Sequence, residues 1–437
     1  TANGNVTQGS FGPFARPEGE WANYFGADNQ YLSIPSNDNL NLGSGDFTFD
    51  FWIWLAYDTT TGTAPAIAGK RSPSSFDNSW RIAAPTSGTY ANKIELGLAV
   101  STGIQAYVAT PTVAKETWTH IAIVRSSGVL RAYANGISGD PVNNTMDVAS
   151  TFVYEIGRQL ETAYDIKGYL SNFRYVKGTA VYSGSSFTPP TEPLTAITNT
   201  SLLTCQSNRF VDNSSTGHTI TNNGAVVSAF GPFLTSEVYD PAVNAASAFF
   251  DGAADYLSSA NSSDWALANG EFTIEAWVFI KPSGTVKQAI IGHWTNGSRG
   301  WQARVEPSGS GYKLRWTWTI NGNVDDSYTG SIVADFNTWN HVAFVRSSNT
   351  ITLYVNGVAG GGGAGADIFT PNTPLVIGDW DSNDADFIGY MCDVRVVKGT
   401  AVYTSAFTPP TAPLAAVTNT KLLLNMADGQ AIDSAAQ

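Results

Sequence analysis

The fold is decided by a stretch that the chain carries twice, as ETWTHIAIVRSSGVLRAYANG at residues 116–136 and as NTWNHVAFVRSSNTITLYVNG at residues 337–357. In HIAIV and HVAFV, β-branched and apolar residues come in near-alternation, which is typical of a strand. Each copy ends in the dipeptide Asn-Gly, which readily adopts the positive φ angles of a tight hairpin turn. Each copy therefore predicts a β-hairpin.

The duplication extends along the whole chain at a nearly constant offset. The two hairpin copies start 221 residues apart, and FGPF occurs at residues 11–14 and again 219 residues later. The passage YVKGTAVYSGSSFTPPTEPLTAITNTSLL at residues 175–203 returns as VVKGTAVYTSAFTPPTAPLAAVTNTKLL at residues 396–423. A unit of about 220 residues has the size of a whole domain. We predict two tandem domains, residues 1–208 and residues 209–437.

The composition indicates a packed β protein. Hydrophobic residues make up 43% of the chain, aromatic residues 12% and charged residues only 14%. No segment shows a sustained helical period, so we expect little helix and, in each half, a two-sheet antiparallel jelly roll. The net charge of −13 argues against nucleic acid as a partner, since nucleic-acid binders need a basic surface. No apolar run is long enough to predict membrane insertion.

The cysteines and the two chain ends carry two further expectations. Cys205 and Cys392 occupy different places in the two copies, which favours buried free thiols over a disulfide. The opening NGNVTQGSFGPF resembles NGAVVSAFGPF at residues 223–233, and the closing segment resembles the one that follows Leu202. We expect the chain to be an excerpt of a longer protein. The alternative, that ordinary terminal strands share the connector sequence, stays open.

Four motifs in constant order carry a resemblance to a known family. They are FDGAADYLSS, EFTIEAWVFI, TWNHVAFVRSSNTITLYVNG and IGYMCDVRVVKGTAVY in the second half, with FGADNQYLSI, DFTFDFWIWL, TWTHIAIVRSSGVLRAYANG and KGYLSNFRYVKGTAVY in the first. This succession resembles the laminin-G-like family of concanavalin A-like jelly rolls. The ending FTPPTEPLTAITNTSLLTCQSN is similar to members found in tail-fibre and other virion proteins of bacteriophages. The resemblance implies a virion-surface or extracellular protein.

The resemblance leaves the function open among hydrolases, lectins and structural modules. Glycoside hydrolysis needs two carboxyl groups across the scissile bond, and enzymes of this fold class carry them as Glu-x-Asp-x-x-Glu on one strand. That pattern is absent, and among the nearest acids, Glu155, Glu161 and Asp165, only Asp165 has a counterpart in the second copy, Asp386. We predict a non-enzymatic adhesin that binds cell-surface glycan, with oligomer formation left open. The alternative is a structural fibre or capsid-decoration module that binds other virion subunits, and a polysaccharide hydrolase is a remote third.

Candidate site residues are of two kinds. Sugars stack on aromatic faces, so the predicted ligand-binding residues are Trp80, Trp294, Trp301 and Trp380, the second and fourth of which we expect to be exposed. Trp316 and Trp318 share one face of a strand, and both a core position and an exposed platform stay open for them. The family resemblance implies a structural calcium ion in the second copy, held at Asp251, Gly252 and Asp393. His120 and His341 follow a Trp at equivalent places and are interpreted as packing elements.

Overall fold

The computed structural model describes residues 1–56, 64–71, 78–99, 104–158, 164–233, 246–283, 286–295, 297–309, 311–380 and 385–426. The chain forms two compact units, Pro17–Ser236 and Thr1–Arg16 with Glu237–Gln437, which we call the N-terminal and the C-terminal jelly roll. The predicted division into 1–208 and 209–437 is therefore shifted. Residues that follow position 208 complete the first unit, and residues 1–16, with strands β1 (Ala2–Asn3) and β2 (Thr7–Gly9), complete the second.

The N-terminal jelly roll consists of two antiparallel sheets. Its strands are β3 (Ala22–Phe25), β4 (Tyr31–Ile34), β5 (Phe47–Leu55), β6 (Ala66–Lys70), β7 (Ser79–Ala83), β8 (Glu95–Ala99), β9 (Ile104–Ala109), β10 (Thr119–Ser126), β11 (Val129–Ala134), β12 (Ile137–Ser138), β13 (Val142–Asn143), β14 (Tyr154–Ile156), β15 (Gly168–Lys177), β16 (Thr200–Thr204), β17 (Thr221–Asn223) and β18 (Val226–Ser228). One sheet has the order β12-β11-β10-β5-β15-β3-β18, with β13 on β11 and β16 on β15. The other has the order β17-β4-β14-β6-β7-β8-β9.

The C-terminal jelly roll repeats this plan. Its further strands are β19 (Ser247–Asp251), β20 (Tyr256–Ser259), β21 (Phe272–Ile280), β22 (Gln288–Thr295), β23 (Ser298–Ser308), β24 (Gly311–Thr319), β25 (Asp325–Asp335), β26 (Trp339–Ser347), β27 (Thr350–Val355), β28 (Val358–Ala364), β29 (Leu375–Ile377), β30 (Ile388–Lys398) and β31 (Thr420–Leu424). The first sheet has the order β2-β19-β30-β21-β26-β27-β28, with β31 on β30, and the second β1-β20-β29-β22-β23-β24-β25.

These observations confirm the predicted all-β class and both hairpins. The repeated hairpin stretch forms β10 with β11 and β26 with β27. Among the described residues, helix is limited to the 3-10 turns Asp38–Leu40 and Ser263–Trp265. The described part of the chain has no helix with the length and apolarity needed to cross a membrane. Cys205 and Cys392 are buried and free, as predicted.

The central strand of the first sheet is buried on both of its faces. In β5, Phe47, Phe49 and Phe51 point into the core between the sheets and are fully buried. The residues between them, Thr48 and Asp50, are also fully buried although they point away from that core. A second layer therefore covers the outer face of this sheet, which we call the covered sheet in each jelly roll.

The covering layer is the repeated Pro-rich passage, residues 178–199 and 399–419. Tyr182 and Phe187 stack with ring centroids 3.9 Å apart and pack on the outer side of β10 and β11. The amide of Phe187 donates to Gly136 O over 2.9 Å, and a side chain at that glycine would collide with Phe187 O. Gly136 therefore serves both the hairpin turn, at φ +79°, and the close approach of the cover. The second copy repeats the arrangement with Tyr403, Phe407 and Gly357.

A buried ion pair joins the covered sheet to its cover. Arg174 on β15 donates to both carboxylate oxygens of Asp50 on β5, over 3.0 and 2.6 Å. The third nitrogen of Arg174, Nη1, donates to Thr195 O in the cover over 2.8 Å. In the second copy Arg395 donates twice to one oxygen of Glu275, over 2.9 and 2.6 Å, and once to Ala415 O. Two charges removed from water are tolerated only when they are paired and hydrogen-bonded in this way.

Removing either carboxylate is expected to leave its arginine buried and uncompensated. We predict that Asp50→Ala destabilises the N-terminal jelly roll, and Glu275→Ala the C-terminal one, by about 3–5 kcal/mol. Urea unfolding of the full chain, followed by circular dichroism and tryptophan fluorescence, measures this loss. Asp140→Ala, at an exposed carboxylate of the N-terminal jelly roll, is the control and should stay within about 0.5 kcal/mol. A loss under about 1 kcal/mol for Asp50→Ala would contradict the assigned role.

Candidate functional site

Polar and aromatic side chains gather at two places in each jelly roll. One is the cluster beneath the cover, around the buried ion pair. The other is the outer face of the second sheet, which we call the polar sheet. Only a place that solvent reaches can bind a ligand, so exposure decides between the two.

The cluster beneath the cover is fullest in the C-terminal jelly roll. Glu275 accepts hydrogen bonds from Arg395 on one oxygen and from Tyr403 and His341 on the other, the last two over 2.8 and 3.0 Å. Burial by itself raises the pKa of Glu275, but the hydrogen bond and charge of His341, with the charge of Arg395, hold it below its usual value. Glu275 and His341 are fully buried, so the cluster holds the cover in place rather than meeting a substrate.

The N-terminal cluster lacks one methylene group and one hydrogen bond. Asp50 is shorter than Glu275 and bonds Arg174 and Tyr182. The two ring nitrogens of His120 are buried without a hydrogen-bond partner. Burial therefore lowers the pKa of His120 to about 4, against the opposing charge of Asp50. The interpretation of both histidines as packing elements agrees with this burial.

The uncompensated His120 makes the N-terminal jelly roll sensitive to acid. Its pKa is lower in the folded protein than in the unfolded chain, so its contribution to stability is complete above pH 6.5 and is lost as the pH falls through about 4. We predict that Asp50→Glu, which supplies the longer carboxylate, reduces this loss. Thermal unfolding of the full chain between pH 4 and pH 7 compares the two proteins.

Glu275→Asp is the matched reverse substitution. It should remove the hydrogen bond between the carboxylate and His341 and increase the loss of stability of the C-terminal jelly roll in acid. If the unfolding temperatures of the parent chain and both variants change with pH in the same way, the single methylene group is not the cause of the acid sensitivity.

The outer face of the N-terminal polar sheet presents a row of residues on neighbouring strands. The ladder aligns Glu155, Gly69, Arg81, Gly97 and Tyr107 across β14, β6, β7, β8 and β9. At the usual strand spacing this row is about 19 Å long. Glu155, Gly69 and Gly97 are buried, so Arg81 and Tyr107 are the members of this row that stay partly exposed.

Ion pairs and ring stacking hold this row in place. Arg81 donates to Glu95 over 3.0 Å, and the side chain of Arg81 keeps 15% of its surface exposed. Tyr107 stacks on Tyr90 with ring centroids 5.5 Å apart. Burial raises the pKa of Glu95 against the charge of Arg81. The face therefore combines a fixed cation with partly exposed aromatic rings.

A second ion pair extends the same face. Arg158 donates to Glu155 over 3.0 Å, and its guanidinium lies 3.4 Å from the ring centroid of Tyr31. Arg158 also donates to Asn29 Oδ1 over 3.3 Å. Glu155 and Glu161 are two of the acids nearest to a hydrolytic pair in the sequence, and Glu161 lies outside the described residues. The structure ties Glu155 to an arginine instead.

The C-terminal polar sheet has the same strand order, but different side chains lie on its outer face. Its row is Ser258, Val376, Gly292, Gln302, Thr317 and Ser327. Beside it, Arg304 donates to Glu306 over 2.7 Å and to Gln302 over 2.9 Å. The guanidinium of Arg304 lies 5.2 Å from the ring of Trp380, and burial lowers the pKa of Arg304. The two jelly rolls thus present different groups on one scaffold.

The four predicted ligand-binding tryptophans fall into two groups. Trp80 and Trp301 lie in the cores of their jelly rolls with 1% and 0% of their surface exposed, so direct contact with a ligand would require the core to open. Trp294 and Trp380 lie together with Ala289 and Ala385 in a small cluster apart from the main core. The expectation that these two are exposed is wrong, because they are 6% and 7% exposed. The core interpretation of Trp316 and Trp318 is confirmed.

The predicted calcium ligands are not brought together. Asp251 pairs with Ile388 across the ladder, whereas Asp393 lies five residues further along β30, roughly 16 Å away at the usual rise of a strand. Both carboxylate oxygens of Asp393 accept local hydrogen bonds, from Leu414 N over 2.9 Å and from Asn425 Nδ2. These residues therefore do not fit a shared metal ion. Within the described ranges, no group of three or more His, Cys, Asp and Glu side chains is arranged to hold one.

Asp393 instead stabilises a bulge and the cover. It adopts φ +52°, next to a register shift between β21 and β30, and burial raises its pKa to about 6. Its counterpart Asn172 has φ +53° and accepts from Leu194 N in the same way. Because the copy with asparagine keeps the geometry, the position requires a hydrogen-bond acceptor and not a charge.

A cavity of about 170 Å³ lies beside the N-terminal cover, and it is smaller than typical ligand pockets. Residues Arg131, Tyr133 and Tyr182 are among those that line it.

The row around Arg81 is the site that sequence reasoning missed. Trp80 and Trp301 occupy equivalent places in the two copies, and such agreement indicates a core position. The neighbouring residues Arg81 and Gln302 differ, which indicates a position outside the core.

Comparison with known proteins bears on the family. The Concanavalin A-like lectin/glucanases superfamily matches residues 25–180 and again residues 251–402. No curated protein matches the chain.

Several solved structures are similar to this chain. Domains LG4-5 of the mouse laminin alpha1 chain are 11% identical, with 90% of this chain and 95% of that chain covered, at a TM-score of 0.29. A putative carbohydrate binding protein from Bacteroides ovatus is 15% identical, with 90% and 88% covered, at a TM-score of 0.33. A heptameric SAP-like pentraxin from Limulus polyphemus is 14% identical, with 49% and 95% covered, at a TM-score of 0.32.

Proposed function

Because the chain belongs to the Concanavalin A-like lectin/glucanases superfamily, we propose that it is a non-enzymatic glycan-binding protein that uses the outer faces of its polar sheets. The observation that carries this proposal is the row around Arg81. A cation fixed by Glu95 and the ring of Tyr107 are both partly exposed on the same face of the sheet. Sugar sites combine such partly exposed rings with a few fixed polar groups.

In the part of the chain that the structure describes, the covered sheets offer no comparable surface. Their outer faces are occupied by the Pro-rich cover, and the charged groups beneath it are already bonded to one another. A ligand would have to displace the cover from a buried ion pair. The polar sheets are therefore the better candidates in both jelly rolls.

The acids on the polar face support binding rather than hydrolysis. Glu155 and Glu95 lie on strands three spacings apart, at least about 14 Å, whereas hydrolytic carboxyl pairs stand roughly 5–9.5 Å apart. Each of the two is also bonded to an arginine. We propose an adhesin on a virion or another extracellular surface, with cell-surface glycan as its partner.

Substitution on the face should reduce glycan binding. We predict that Tyr107→Ala and Arg81→Lys, which removes the planar fork of donors, each weaken the N-terminal site at least tenfold, corresponding to about 1.4 kcal/mol. A glycan array with the full chain identifies a ligand, and calorimetry with that glycan measures the affinity. Arg304→Ala tests the C-terminal face in the same way.

Asp140→Ala, at an exposed position of the same jelly roll, is the control and should bind as the parent chain does. Thermal unfolding of every variant separates lost binding from lost folding. Unchanged binding by all three face variants would refute the assigned face. A blank array, with calcium and with chelator, would refute glycan binding and favour the structural module that binds protein subunits.

A further inference from the structure

Each jelly roll is completed by a short segment that we call the closing segment, with the pattern Asn-Gly, one residue, Val, three or four residues, and then Phe-Gly-Pro-Phe. It consists of residues 221–233 on the N-terminal jelly roll and residues 3–14 on the C-terminal one. Each closing segment adds one strand to both sheets of its jelly roll. β17 and β18 pair with β4 and β3, and β1 and β2 pair with β20 and β19.

The two closing segments bind in the same register. Asn223 is opposite Tyr31 and donates to Ser33 Oγ over 3.2 Å. Asn3 is opposite Tyr256 and donates to Ser258 Oγ over the same distance. The glycine that follows each asparagine has a positive φ, +86° and +71°. The polar end of the binding slot therefore recognises the segment by the same contacts twice.

The aromatic end of the slot is also conserved between the two jelly rolls. Phe230 packs in an open pocket formed by the rings of Trp54, Trp118 and Tyr169, with centroids 5.9, 5.5 and 4.9 Å away, and stays 36% exposed. Phe11 packs in the equivalent pocket, with centroids 5.3, 5.6 and 5.1 Å away, formed by Phe279, Trp339 and Tyr390. The second phenylalanine of each segment packs on the next aromatic residue, as Phe233 on Trp52 and Phe14 on Trp277.

The covalent connection of the segment differs between the two jelly rolls. In the N-terminal jelly roll the segment follows β16, the preceding strand of the same unit. In the C-terminal jelly roll the segment precedes the whole N-terminal jelly roll in sequence, and Ser247 donates to Phe11 O across 236 positions of sequence. Binding in the slot therefore does not depend on where the segment is attached.

We propose that the slot of the C-terminal jelly roll is a peptide-binding site that accepts the closing segment from a second copy of this chain. Strand addition supplies backbone hydrogen bonds, and the two phenylalanine pockets supply selectivity. Because residue 16 leads directly into the N-terminal jelly roll, exchange of residues 1–16 links the N-terminal jelly roll of one copy to the C-terminal jelly roll of another. Such a contact is heterologous, so it builds rings or open chains.

A disulfide trap tests the exchange in the full chain. One preparation carries Asn3→Cys and a second carries Ser258→Cys, at positions whose side chains are in hydrogen-bond contact. The preparations are mixed, unfolded together, refolded at high concentration and oxidised. We expect a disulfide-linked dimer that contains one chain of each kind. Asn3→Cys mixed with Asp140→Cys is the control and should give none.

A peptide experiment tests the slot itself. The chain without residues 1–16 is titrated with a fluorescein-labelled peptide of residues 1–16, and separately with a peptide of residues 221–236. We expect saturable one-to-one binding of both, a rise of the C-terminal unfolding temperature, and at least tenfold weaker binding of the first peptide with both phenylalanines replaced by alanine.

The outcomes separate the slot from the exchange. If the shortened chain does not fold its C-terminal jelly roll alone, the peptide should restore its unfolding transition. Absence of both binding and restoration overturns the slot. Peptide binding without a mixed disulfide in the trap overturns exchange between copies, because the segment then reaches the slot only from its own chain.

Discussion

The buried carboxylate–arginine pair is the constraint on which both jelly rolls depend. A charge at the centre of a sheet needs a partner and a full set of hydrogen bonds, and Asp50 with Arg174 obtains them only when a second layer lies over the strand. The Pro-rich passage is that layer. In this layer Thr195 O accepts a hydrogen bond from Arg174, and Tyr182 donates one to Asp50. The passage is closely similar in both copies because it contacts the least variable part of each sheet.

The fold could be predicted from sequence because its signals are local. The hairpins follow from alternation and Asn-Gly turns, and two copies of one pattern predict two jelly rolls. The site was harder to predict because the face of a strand that a side chain occupies decides whether it lies in the core or on the surface. Trp80 and Arg81 are adjacent, yet one lies in the core and the other on the polar face. The expected calcium ligand Asp393 stabilises a bulge, which no spacing rule reveals.

The two faces of the sandwich are subject to different restraints. The covered sheet is enclosed on both sides, so substitutions there must preserve volume and hydrogen bonding, and the copies agree even in the left-handed residue of the bulge. The outer face of the polar sheet carries groups that differ between the copies. Arg81 and Gln302 occupy the same place with different chemistry, whereas Gly69 and Gly292 are both glycine. Recognition can therefore diverge while the scaffold stays constant.

The closing segment shows why a repeat in sequence and a unit in space need not coincide. Strand addition satisfies backbone groups, which every residue except proline offers equally, and the pockets for the two phenylalanines select the segment. Neither requirement refers to the order of the chain. The boundary expected after residue 208 assumed that each unit is closed by contiguous sequence, whereas the C-terminal jelly roll is closed by residues that precede the other unit. Complementarity of the slot, rather than covalent continuity, defines the domain.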